Sequence, residues 1–181
     1  QTKHNALDGL ADLSKMLQAK AISNLVVIDN SKLEMMYSHV SQMQFYDVAN
    51  RRVVEEFDAF NHYSTLASPS KPLDGAELGK LLVDSEGLSI FGSLEVSNYE
   101  DPEAVAEAII NSLEDNVLAS DFDLKQTKYC AFIVAGNADV MSKLPAASMN
   151  YANHMIMDKA GTPKACFKGI YEVPGLPDGQ L

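Results

Sequence analysis

Three short apolar runs, set among segments of helical period, constrain this chain more than any other feature. Residues 24–30 (NLVVIDN) are β-branched and bounded by turn formers. Residues 128–137 (KYCAFIVAGN) are apolar over strand length, and Gly136 ends the extended run; residues 165–174 (ACFKGIYEVP) make a last strand. A strand-length run without polar alternation is covered on both faces, which is the habit of parallel sheets flanked by helices. The first two runs therefore read as fully buried strands.

The helical segments agree with that reading. In residues 5–21, Leu7, Leu10, Leu13, Met16 and Leu17 form one face, and residues 31–40 hold a short helix. Residues 42–64 are the longest periodic stretch. Phe45, Ala49, Val53, Phe57 and Phe60 recur at helical spacing, with Arg51, Arg52, Glu55, Glu56 and Asp58 between them. After the Ser/Pro loop LASPSKP, a helix spans 74–84 and residues 87–99 (GLSIFGSLEVSNY) alternate like a strand. Asp101-Pro102-Glu103 starts a helix: Asp caps, Pro fits the first turn, and Glu favours the positive end. It continues with Val105, Ile109 and Leu113 on one face, and a final helix over 145–159 turns Met149, Ala152, Met155 and Ile156 inward until Gly161 stops it. The order α-β-α-long α-loop-α-β-α-β-α-β predicts an α/β domain behind a long connecting helix.

Composition removes several function classes. The net charge is −11, which argues against direct nucleic-acid binding, since phosphate neutralisation needs clustered Lys and Arg. No run approaches the ~20 apolar residues of a membrane span, and no signal peptide opens the chain, which points to the cytoplasm. Cys130 and Cys166 share no spacing motif and read as two reduced thiols. His4, His39, His62 and His154 are scattered without metal-ligand spacing, so no metal site is expected. No nucleophile motif can be placed, the methionines read as core filler, and no glycine-rich phosphate cradle occurs in the chain.

Two constellations remain. Asp74 and Glu77 stand three apart where a loop meets a helix. By themselves they read as a cap and a dipole-compensating acid. Tyr46 and Asn50 stand four apart, hence on one face of the long helix. A ring that can stack beside an amide that both donates and accepts could read a base; a partly buried Tyr and a solvent-facing Asn is the alternative.

In order and spacing, these segments resemble the second half of the FtsZ/tubulin superfamily of GTPases. LADLSK…ISNLVVIDNSKL is similar to the last helix and strand of that family's nucleotide domain, and FYDVANRRVV to the start of its central helix. KPLDGAELGKLL resembles the synergy loop; EGLSIFGSLEV, DPEAVAEAIINSLEDNVL and KYCAFIVAGN resemble the strand, helix and strand that follow. Lys71 and Pro72 stand where the family has Asn, Gly75 replaces an aromatic, Glu77 replaces Asp, and Arg51 stands where FtsZ often has Asp, which marks a divergent branch.

The resemblance implies a remnant of the nucleotide-binding domain over 1–41, a central helix over 42–66, and a C-terminal activation domain over 67–181 with a mixed four-stranded sheet. It implies GTP as the ligand, with Mg2+ held by the preceding domain, Tyr46 and Asn50 at the guanine, and Asp74 and Glu77 as catalytic acids inserted into the next subunit's pocket. It further implies head-to-tail filaments serving cell division or DNA segregation, and no turnover by this chain alone. A non-catalytic α/β regulatory or small-ligand module sharing the strand order is the alternative.

Overall fold

β3 (Tyr129–Gly136) and β4 (Ala165–Glu172) run parallel in unbroken register, from Tyr129 opposite Ala165 to Gly136 opposite Glu172. The computed structural model describes residues 2–68, 70–114 and 123–181, the side chains of residues 2–5 aside. Pro69 of the Ser/Pro loop and residues 115–122, which include the end of the DPEAVAEAIINSLEDNVL segment, thus lie outside the described residues, as does the side chain of His4.

The connection between β3 and β4 is made by α6 (Ala138–Lys143) and α7 (Ala146–Lys159). α6 was not foreseen, because six residues are too few to show a period; Asn137 caps it, its Oδ1 accepting the Val140 N–H at 3.0 Å. α7 and α5 (Pro102–Glu114) cover one face of the pair. There Val105, Ala106 and Ile110 meet Met149, Ala152 and Ile156 over Cys130, Phe132 and Val134. α5 begins as expected, with Asp101 Oδ1 accepting the Glu103 N–H at 2.9 Å.

The opposite face meets α3 (Gln42–Ser64) and α4 (Gly75–Leu82). It is closed less tightly. A cleft of about 980 Å³ opens between α3, the segment after residue 87, and β3 and reaches α5, lined by Phe60, Phe91, Ile109 and Ile133 among others. β3 alternates buried with half-buried residues instead of being buried throughout. α3 matches the predicted span, about 34 Å long by helical rise. Glu56, counted among the polar residues of that helix, is buried and paired with Arg52 one turn back.

The expected four-stranded mixed sheet is not what forms. Among the described residues there are two separate two-stranded sheets, both parallel. In the second, β1 (Asn24–Val26) pairs with β2 (Gly87–Ser89), which ties the segment 1–41 to the segment 67–181. The alternating run 87–99 leaves the ladder after Ser89. Its apolar residues are held otherwise: the Phe91 ring meets Phe57 and Phe60 edge-on at 5.5 and 5.3 Å, and Val96 exchanges backbone bonds with Leu181. Half-burial by aromatic contact satisfies the same alternation that a ladder does.

α1 (Thr2–Gln18) leaves Leu7, Leu10 and Met16 exposed, and α2 (Asn30–Met36) is capped by Asp29. No described helix is long and apolar enough to cross a membrane.

Candidate functional site

Asp74 caps α4 with a complete reciprocal box. Its Oδ1 accepts the Glu77 N–H at 2.8 Å, and Glu77 Oε2 accepts the Asp74 N–H at 3.2 Å. Such a box satisfies two of the donors that a helix start leaves open. Each carboxylate therefore has one oxygen on the cap and one to spare. The spare oxygens differ. Asp74 is exposed, whereas the Glu77 side chain is 19% exposed and its Oε1 lies 3.9 Å from Lys71 Nζ.

What holds this corner in place lies far away in sequence. Leu73, next to the cap, is 2% exposed, and its N–H donates to the hydroxyl of Tyr171 on β4 at 2.8 Å. Tyr171 is 0% exposed. The Ile170 N–H donates to Lys71 O at 2.9 Å, and Ser68 Oγ donates to Ile170 O. The loop before Asp74 is thus stitched to two successive residues of β4. Gly169 makes room for this: a Cβ there would stand 2.6 Å from the Tyr171 ring.

Leu73, Gly169 and Tyr171 are absent from the sequence reading, which named Lys71 only as a departure from the family's Asn. For Leu73 a signal existed, since Leu73 and Leu78 flank the box at the positions of a hydrophobic staple. For Tyr171 there was none, because a strand tyrosine looks the same whether or not its hydroxyl has a partner.

Tyr46 and Asn50 project from the first third of α3. The Tyr46 ring is 65% exposed and meets Phe45 edge-on at 5.4 Å; Asn50 is exposed, and its amide bonds to no described residue. Both groups are free to meet a ligand. Tyr46 to Ser64 spans about 27 Å of helix, and Asp74 follows beyond that far end of the chain segment. No hydrogen bond, ion pair or ring contact among the described residues joins the two pairs, and neither pair lines the 980 Å³ cleft. Each pair is thus a local unit, and this chain does not gather them into one pocket. No three described His, Cys, Asp or Glu side chains are grouped as metal ligands.

Neither a family of known sequences nor any curated protein matches the chain. Solved structures do. Against the GDP-form protofilament of TubZ from Bacillus thuringiensis serovar israelensis, the chain superposes with a TM-score of 0.74 at 18% identity, covering 94% of this chain and 46% of that one. A four-stranded TubZ-Bt filament gives 0.76 at 16% identity over the same shares. The type III plasmid segregation protein TubZ gives 0.71 at 17%, over 94% of this chain and 49% of the other. The chain therefore spans slightly less than half the length of the TubZ chains it matches, and the likeness lies in the path of the backbone. Over nearly its whole length, this chain thus has the fold of slightly less than half of a TubZ chain.

Proposed function

We propose that this chain is the C-terminal half of a filament-forming GTPase, and that its capped carboxylate corner acts on the nucleotide held by the next subunit. One observation carries the reading: TubZ structures that share the fold over 93–94% of this chain are protofilaments and filaments, in GDP and GTPγS forms. The geometry of the corner supports it, since Asp74 is exposed at the tip of a loop locked to β4.

Phosphoryl transfer asks little covalent chemistry of the protein; orienting the attacking water and stabilising charge suffice. In this reading Asp74 offers its free oxygen to that water. Glu77 fixes the Asp74 backbone and, with Lys71, sets the charge beside it. Tyr46 stacks on guanine and Asn50 reads its edge, on a different surface of the same protomer. Hydrolysis then needs two protomers, and a head-to-tail contact of that kind is open and builds filaments. GTP and Mg2+ would be held chiefly by residues outside this chain, which alone has no phosphate cradle and is expected to be inactive. The TubZ likeness favours DNA segregation over cell division as the task of the filament, in the cytoplasm.

The test separates the cap from the charge. Asn at the cap and Gln three residues on keep the box, whereas neither carries a carboxylate. In the full-length protein, Asp74→Asn with Glu77→Gln should bind GTP and assemble normally while turnover falls at least about 100-fold, the scale of a lost acid–base group. Turnover at the native rate would remove the catalytic assignment. Asn50→Ala should weaken the preference for GTP over ATP, and an unchanged preference would refute base reading.

A further inference from the structure

Residue numbers 36 apart hide a close pair: Cys130 on β3 and Cys166 on β4 are direct register partners. Strands in a sheet lie about 4.7–4.9 Å apart, inside the ~4.4–6.8 Å Cα window that a disulfide spans. Opposed residues also share a face: Cys130 belongs to the core cluster beneath α5 and α7, and the half-buried Cys166 packs against that cluster. Both thiols are free; Cys130 is buried and Cys166 half-buried.

We propose that Cys130 and Cys166 form a thiol–disulfide exchange site that takes low-molecular-weight aliphatic disulfides and closes into a cross-strand disulfide. The two thiols have unequal tasks. Cys166 is the more accessible, and its thiol is pushed down by the hydrogen bond from Cys130 and then by the nearby Lys168 and Lys71 amines, against its burial. Cys130 is pushed up, by its hydrogen bond to Cys166 first and by burial second. The thiolate thus forms on Cys166 while Cys130 keeps its proton.

The Cys166 thiolate attacks one sulfur of the reagent RSSR. The S–S bond breaks, RS⁻ leaves, and a mixed disulfide Cys166–S–S–R remains. Cys130 then loses its proton to solvent and attacks the Cys166 sulfur, expelling a second RS⁻ and forming Cys130–S–S–Cys166. The two thiols give up two electrons and two protons, and one RSSR becomes two RSH.

The experiment exposes the folded full-length protein to glutathione disulfide, quenches in acid and maps the peptides by mass. The expected product joins the peptides holding Cys130 and Cys166, lighter by two hydrogens than their sum. Cys130→Ser should stop at the glutathione adduct on Cys166. Cys166→Ser should leave Cys130 at least about tenfold slower to react than Cys166 in the native chain. Cys130→Ala replaces the serine variant if circular dichroism shows that one unfolded. The proposal is overturned if both thiols stay free in the folded protein, if the adduct on Cys166 never closes, or if the link forms only in denaturant.

Discussion

Replacing Tyr171 by Phe removes one oxygen from a fully buried ring and nothing else. That oxygen accepts the Leu73 N–H at 2.8 Å, and Leu73 is itself buried, so water cannot take its place without opening the loop. A buried donor left without a partner costs about 1–3 kcal/mol. For a chain of this size, 2 kcal/mol lowers the melting temperature by about 4–8 °C. The effect should also be local. If the loop is released, the Leu73 amide exchanges about 30-fold faster for the same 2 kcal/mol. The Ile170 amide, whose acceptor Lys71 O sits on that loop, should lose protection with it. Hydrogen exchange read by NMR, alongside thermal melting, measures both. Unchanged melting together with unchanged Leu73 exchange would refute the claim that this hydroxyl holds the acidic corner in place.

Gly169→Ala places a Cβ 2.6 Å from the Tyr171 ring. Overpacking of this kind should cost about 1–3 kcal/mol and disturb the near-ultraviolet circular dichroism of the tyrosine, and a native spectrum with native stability would contradict it. Gly161 ends α7 at φ +65°, where the Thr162 N–H reaches back to Met157 O at 3.0 Å. Gly161→Ala should lose about 1–2 kcal/mol from the left-handed backbone, measured as a lower urea midpoint. Glu86 is held below the usual carboxylate range by the hydrogen bond and charge of Lys20, 2.7 Å away. A depressed carboxyl contributes above its unfolded value and loses that contribution as pH falls through the folded one. Urea midpoints of the native chain and of Glu86→Gln should therefore differ at about pH 7 and converge at about pH 3, and the difference should shrink in high salt; a constant gap would show that the pair is idle.

Periodicity by itself determined the elements whose burial repeats within one segment. α3 spans the predicted residues, α5 begins at its predicted cap, α7 begins at Ala146, one residue after its predicted start, and β3 and β4 fall on the two longer apolar runs. The capped start of α4 was legible too, because a box is made by residues three apart. Strand partnership was not. Alternation in 87–99 is met equally by a ladder or by an aromatic cluster, and only the tertiary structure decides that Phe91 lodges against Phe57 and Phe60. Glu56 looked polar-facing because its compensation by Arg52 changes no pattern of hydropathy. The same reason hid Tyr171 and the Cys130–Cys166 pair. Local sequence records what each residue wants within a turn or a pleat, whereas the contacts that steady the acidic corner join residues about a hundred positions apart.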